Sequence, residues 1–280
     1  MINLETSVAE PANILLVSPH PDDEIIGAGA TAIALRTAGH RIVNLACCLG
    51  TTATAPRRTA ELQEACNRAD FELILPEDPA YMHGDGRLAE AEEALRSHIQ
   101  DVYKELQPKA VIAPSVHDSH HDHEAVARAT RDALAPFESA RLWMYNVWGE
   151  LPLPTIYNPF DQAELDHVQY ALAAHGGETA RNDYHNLVLG RALVGKVLGS
   201  EKIFGFGAAA VSQLPYAELL TEVIRGPSND MQWVGGRTRM LTANALFEDA
   251  PTPHIPRDFW LMSPSVRQED NKLREIRSHG

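Results

Sequence analysis

The stretch NILLVSPHPDDEIIGAGATAIALRTAG, residues 13–39, decides the fold. Asn13–Ser18 is an apolar run too short for a helix, and it reads as a buried strand. Glu24–Ala38 is alanine-rich and stops at Gly39, a glycine placed to close a helix, so it reads as a helix. Between them sits Pro19-His20-Pro21-Asp22-Asp23, a charged turn at the carboxyl end of the strand. Working outward, Ile42–Leu49, Leu73–Leu75, Ala110–Ala113 and Arg141–Val147 read as further strands. Arg58–Ala69 and His123–Leu134 read as helices, and Leu88, Leu95, Ile99, Val102 and Leu106 mark one face of another. Repeated strand–helix units predict an α/β protein, three-layered and Rossmann-like, with a mostly parallel sheet.

The texture changes after Gly149. ELPLPTIYNPFD, with three prolines, reads as a loop. Gln162–Ala174, Glu178–Leu198 and Tyr216–Ile224 have helical patterns, Ile203–Ala208 is strand-like, and the last fifty residues read as irregular. Residues 1–150 are therefore expected to form the Rossmann-like core. Residues 151–280 are expected to be a C-terminal elaboration of the same domain that shapes its pocket.

Composition narrows the function. Of 280 residues, 24 are Lys or Arg and 38 are Asp or Glu, a net charge of −14 with no basic cluster, so nucleic acid is not an expected partner. No apolar run is long enough for a membrane span. The opening MINLETSVAEPAN lacks a leader pattern, and Cys47, Cys48 and Cys66 are odd in number and read as small buried residues. A cytoplasmic protein is the expectation. A symmetric homo-oligomer is compatible with its size, and the sequence does not choose.

Two segments concentrate the chemistry: His20-Pro21-Asp22-Asp23-Glu24, and His117-Asp118-Ser119-His120-His121-Asp122-His123-Glu124 after the fourth strand. In an open α/β sheet both fall at the edge that carries the ligand crevice. The first segment alone also suits a solvated turn with an acidic helix start. The second holds four of the chain's 13 histidines in seven residues, which a surface turn does not need. Imidazole nitrogens and carboxylate oxygens are the mixed donors zinc accepts, three of them plus water in a catalytic site.

HPDDE followed by a DxHxDH-like segment resembles the PIG-L/LmbE family of zinc-dependent N-acetylglucosaminyl deacetylases. The likeness extends to Ile25–Thr31 and Arg58-Thr59-Ala60-Glu61, is weaker at Met82–Leu88 and Tyr145–Pro154, and covers roughly residues 12–155. It implies one zinc per chain held by His20, Asp23 and His123, with Asp22 as general base. It implies that His120 stabilises the tetrahedral intermediate or protonates the leaving amine, and that Asp122 orients a histidine ring or the base. It also implies that Arg58 and Asp85 grip sugar hydroxyls, although Arg58 also suits a surface ion pair with Glu61. The implied substrate is a small glycoconjugate bearing an acetamido sugar. His117 and Asp118 match no ligand position, and His121 leaves open a register in which it binds the metal.

Other readings fit less well. Gly27-Ala28-Gly29-Ala30-Thr31-Ala32 matches a dinucleotide fingerprint, but HPDDEII separates it from the strand and no acid ends the second strand. Those glycines suit close helix–sheet packing instead. A metallo-β-lactamase-type hydrolase would need a β-rich region ahead of its metal motif and leaves HPDDE unused. A zinc amidase on another amide conjugate, or a metal- or sugar-binding protein without activity, keeps the same fold; the second has no need of Asp22. Trp143 and Trp148 read as core, Trp233 and Trp260 sit in Gly/Pro-rich loops, and His175, before Gly176-Gly177 at a helix end, reads as structural rather than as a pocket residue.

Overall fold

The computed structural model describes residues 11–76, 87–152, 154–204, 206–207, 210, 212–225, 231–233 and 239–240. The chain runs β1 (Asn13–Ser18), α1 (Asp23–Ile26), α2 (Gly29–Thr37), β2 (Arg41–Ala46), α3 (Ala55–Ala69) and β3 (Glu72–Ile74). A 3₁₀ turn, Leu88–Ala91, leads into α4 (Glu92–Leu106), β4 (Ala110–Pro114), α5 (His121–Leu134), β5 (Arg141–Tyr145) and β6 (Ile156–Phe160). Then follow α6 (Gln162–Leu172), α7 (Gly176–Arg181), α8 (Tyr184–Phe204), β7 (Tyr216–Arg225), β8 (Met231–Trp233) and β9 (Arg239–Met240).

Among the described residues nine strands form one sheet, ordered β3-β2-β1-β4-β5-β7-β6-β9, with β8 beside β7. The pairings from β3 to β5 are all parallel, while β7 runs antiparallel to both β5 and β6. The α/β, mostly parallel reading is borne out. Alternate residues of the parallel strands feed two cores. Ile14, Leu16, Ile112, Trp143 and Tyr145 join residues of α2, α3, α6 and α8 on one face. Leu15, Val17, Val111, Ala113 and Met144 join residues of α4 and α5 on the other. A strand buried on both faces has no polar side, which is why these segments read as continuous apolar runs.

β1 pairs with β2 on one side and β4 on the other. Leu16 lies opposite Ile112, so the loops leaving Ser18 and Pro114 emerge side by side at the point where the strand order reverses. That is the crevice expected of an open α/β sheet.

Several expected elements differ. The helix expected over Glu24–Ala38 is broken at Gly27–Ala28, where Ala28 leaves helical angles (φ −145, ψ 25); at Gly27 the ring of Tyr145 and the carbonyl of Asp23 occupy the space a Cβ would need. Close packing against β5 is thus what this glycine serves. Its expected end holds: Gly39 has φ +94, and its N–H donates to the Arg36 carbonyl at 3.0 Å. The single helix expected over Glu178–Leu198 is two, α7 and α8. They part at Asn182–Asp183, where the Asp183 carboxylate accepts the Asn186 N–H at 3.1 Å.

The expected loop at 150–161 contains β6, and the residues of Ile203–Ala208 nearest the helix belong to α8 rather than to a strand. Tyr216–Ile224 is the strand β7, not a helix. It lies between β5 and β6, and Ala217, Leu220, Thr221, Glu222 and Val223 are all buried, so it shows no alternation. Leu219, Leu220, Val223 and Ile224 then fall at a spacing that imitates a helix face. The three cysteines are buried and unbridged. No described helix is long and apolar enough to cross a membrane.

Candidate active site

His20 leaves β1 two residues past its end, in a loop supported by β2: Cys47 and Cys48 donate their N–H groups to the carbonyls of Ser18 and Pro19, at 2.8 and 3.1 Å. Asp22 follows with φ 122 and ψ −28, a conformation side chains rarely adopt and one that costs about 1–3 kcal/mol unless the surroundings enforce it. Asp23 then opens α1. On the other loop His120 caps α5, its Nδ1 accepting the Asp122 N–H at 3.2 Å, with Asp122 and Glu124 in the first turn where the helix dipole favours acids. The helix thus starts two residues before the expected His123.

These loops bring the motif residues together. Among the described residues two sets of potential ligand atoms lie within 4.8 Å of one another: His20, Asp23 and His123, and His20, His120 and Asp122. Asp23 Oδ2 is 3.1 Å from His20 Nδ1 and 3.1 Å from His123 Nε2. His20 Nε2 is 3.0 Å from Asp122 Oδ2, whose partner oxygen accepts the Leu88 N–H at 3.0 Å. His20 thus faces Asp23 with one nitrogen and Asp122 with the other. Asp22 belongs to neither set. His121 is also outside both, with its side chain 63% exposed, so the register in which it would be a ligand is not the one the fold builds.

The electrostatics suit a cation. Burial opposes the His123 imidazolium, but Asp23 and Asp118 outweigh it and lift its pKa to about 9. Burial also opposes the His20 cation, while Cys48, Asp122 and Asp23 more than offset it and hold its pKa well above the usual value. Asp23 is itself buried, yet His123 and His20 draw its pKa far down. Carboxylates thus face both buried rings, an arrangement that favours positive charge at this position. His123 is wholly buried, and neither of its nitrogens makes an aligned hydrogen bond despite its close carboxylates. An unsatisfied imidazole nitrogen beside a second imidazole and a carboxylate fits a divalent metal.

Burial and the adjacent Asp23 raise Asp22 to about 8, against the pull of His175 and Arg58. A dication beside Asp23 would act in the opposite sense and favour the carboxylate. Burial, with His20 and His123 close by, pushes the His120 pKa down and so favours its neutral form. With Nδ1 accepting, its Nε2 carries the proton and remains a donor.

Arg58 is 5% exposed; it donates from Nη2 to the Pro21 carbonyl at 3.0 Å and places Nε 3.7 Å from Glu178. The surface ion pair with Glu61 belongs to Arg57 instead. Asp85, Trp260 and most of Met82–Leu88 lie outside the described residues. Trp143 is buried as expected, whereas Trp148 is 43% exposed, with its ring edge-on to Tyr184.

Three residues carry more than their sequence suggested. Asp118 is fully buried, with Oδ2 3.3 Å from His123 Nδ1, and it accepts N–H groups from His120 and Val147 at 3.1 and 2.8 Å. A carboxylate behind a ligand histidine is the usual way its ring is aimed, and the leading Asp of DxHxDH was the available signal. Glu24 and His175 form a buried pair at 2.6 Å across 151 residues. No local pattern announces that pair.

Residues 15–134 match the family model PIG-L, described as GlcNAc-PI de-N-acetylase. Both motif loops lie inside that segment, and the resemblance read from them is borne out there. No curated protein matches the chain in sequence. The fold is shared with N,N'-diacetylchitobiose deacetylase from Pyrococcus horikoshii, at 19% identity, 79% coverage of this chain and 87% of that one, and a TM-score of 0.57. The zinc-inhibited form of teicoplanin deacetylase Orf2 is similar at 15% identity, 77% and 99% coverage, and a TM-score of 0.56. GalB, the 4-carboxy-2-hydroxymuconate hydratase of Pseudomonas putida KT2440, is similar at 16% identity, 75% and 95% coverage, and a TM-score of 0.58. At such identities the likeness establishes the fold, and a fold hosts more than one chemistry.

Proposed function

We propose that this chain, whose residues 15–134 carry the PIG-L de-N-acetylase segment, is a metal-dependent hydrolase. In this reading it removes the acetyl group from an N-acetylglucosamine-type amide on a small glycoconjugate. One observation carries the reading. His20, Asp23 and His123 converge at the β1/β4 switch point, while Asp22, one residue from a ligand candidate, belongs to neither ligand set. A site that only bound metal would have no use for that second carboxylate.

Zinc is the metal we propose, held by His20, Asp23 and His123. Two imidazoles and one carboxylate, with room for water as a fourth ligand, make the donor set of a catalytic zinc site. When bound, it supplies a Lewis acid that acidifies a water and polarises a carbonyl. The chain's own residues do the rest. Asp22, raised towards neutrality by burial and Asp23, accepts the proton of the attacking water at its carboxylate. His120 donates its Nε2 hydrogen to the developing oxyanion, where loss of one such donor costs about a hundredfold or more in rate. Asp122 aims His20 and Asp118 aims His123. Arg58, beside the Pro21 carbonyl, and Asp85 grip the sugar hydroxyls. Residues 1–150 carry this chemistry and residues 151–280 shape the pocket for the group attached to the sugar, in a cytoplasmic enzyme.

The test is acetate release from a panel of N-acetylglucosamine conjugates, by protein loaded with zinc and by protein stripped with a chelator. The reading expects release by the loaded protein from at least one conjugate and its loss on stripping. Chelator-resistant release, with no stoichiometric metal in the protein, would sink it.

A further inference from the structure

Glu24 is wholly buried one residue beyond Asp23, and the chemistry above gives it nothing to do. Its two oxygens have separate partners. Oε2 accepts the backbone N–H of Asp22 at 2.9 Å, and Oε1 meets His175 Nε2 at 2.6 Å. His175 is also wholly buried and comes from the α6–α7 junction, which is tied down at both ends. Its N–H donates to the Leu172 carbonyl at 3.0 Å, and its own carbonyl accepts from Glu178 and Thr179 at 3.0 and 2.9 Å.

This chain of contacts ends on a strained peptide. Asp22 sits at φ 122, and its carbonyl accepts from Ile25 and Ile26 at 3.0 and 2.9 Å, so the first turn of α1 fixes one side of the residue. The N–H on the other side is held by Glu24 alone among the described contacts. A residue at positive φ stays there only when its surroundings over-determine it. Glu24 supplies that constraint, and His175 keeps Glu24 from swinging away.

We propose that Glu24 and His175 form a positioning pair that holds the Asp22 backbone in the conformation directing its carboxylate at the reaction. The pair touches neither substrate nor metal. It acts through Asp22, so this inference rests on the deacetylase reading and on the role of Asp22 in it. The feature is absent from the motif logic because half of it comes from residue 175, beyond the PIG-L segment.

The pair makes a distinctive pattern of variants. His175→Phe removes the donor at similar bulk, while His175→Gln restores an N–H donor to Glu24. Glu24→Gln keeps an oxygen for the Asp22 N–H, whereas Glu24→Leu does not. With zinc-loaded enzyme and an acetamido-sugar substrate, His175→Phe and Glu24→Leu should lower kcat about tenfold to a hundredfold, with KM and zinc content unchanged. His175→Gln and Glu24→Gln should recover most of that loss. A structural role alone would move melting temperature in all four without this split and recovery. If His175→Phe folds with full zinc and keeps wild-type kcat, the proposal is wrong.

A measurement on the wild-type protein needs neither activity nor a folded variant. The Asp22 amide should exchange its hydrogen slowly, and more slowly than the Asp23 amide is slowed by its own 3.2 Å bond to the His20 carbonyl. Rapid exchange at Asp22 overturns the positioning pair. Absence of wild-type turnover, with Asp22 protected, would strike the deacetylase reading and leave the pair standing.

Discussion

Asp118 is the residue whose surroundings say most about how the centre is aimed. It is fully buried, it accepts backbone N–H groups from two loops, and its remaining contact is His123. A neutral amide there keeps one acceptor oxygen and loses the charge that favours the His123 tautomer facing Asp23. Asp118→Asn should therefore weaken zinc about tenfold to a hundredfold, as outer carboxylates behind ligand histidines commonly do. Competition with a chromogenic chelator measures it. Unchanged affinity in a folded variant would mean that His123 is aimed by packing alone.

At the scale of elements, the break between α1 and α2 positions the first motif. Gly27 lies against the Tyr145 ring and the Asp23 carbonyl, and Tyr145 is anchored by its hydroxyl donating to the Val17 carbonyl at 3.2 Å. A methyl group here has no flexible neighbour to displace. Gly27→Ala should cost about 1–3 kcal/mol, the usual range for an overpacked core. Gly190 in α8 has open space around its Cβ position, and Gly190→Ala should be neutral or stabilising by up to about 1 kcal/mol. Denaturant melts of the two variants make the comparison. Equal effects would show that the close approach of Tyr145 does not constrain Gly27.

At the scale of the whole molecule, stability and metal binding are coupled through protons. Folding raises Asp22 from 3.8 to about 8 and His123 from 6.5 to about 9, and His20 moves the same way. The metal-free fold therefore holds more protons than the unfolded chain between pH 7 and 9. The contribution of His123 is complete below pH 6.5 and is lost as pH rises through about 9; that of neutral Asp22 is lost through about 8. The depressed carboxylates Asp23 and Asp118 titrate well below this window and do not alter the sign. Melting temperature of stripped protein should fall from pH 7 to pH 9. Metal needs deprotonated donors, so the gain in melting temperature on adding zinc should grow over the same range. A stripped protein that becomes more stable towards pH 9 would contradict this charge arrangement.

What was legible in the sequence follows from where information is local. The strands from β1 to β5 are apolar between turn signals, and the two motifs pack their chemistry into a few residues, so fold class and the meeting of the two motifs at one sheet edge could be read directly, while the set His20, Asp23 and His123 came only from the family resemblance. β7 could not, because a strand buried on both faces within the sheet loses its alternation and its leucines imitate a helix. The split of α7 from α8 lies at Asn182, which turns extended, and at Asp183, which accepts the Asn186 N–H, a two-residue signal inside an otherwise helical pattern. Glu24 looked like an ordinary acid in a first turn until His175, 151 residues away, was placed beside it.

The division of labour between two adjacent carboxylates is the centre of this account, and one paired measurement tests it: zinc stoichiometry and kcat of Asp22→Asn and Asp23→Asn, purified side by side. Asp23 lies between His20 and His123, and Asp22 stands outside both ligand sets. The account expects Asp23→Asn to lose zinc, because a neutral amide replaces an anionic donor. Asp22→Asn should keep zinc and KM while losing on the order of a hundred- to ten-thousandfold in kcat, the effect of a missing general base. Loss of zinc from Asp22→Asn with retention in Asp23→Asn, or wild-type turnover in both, would contradict it.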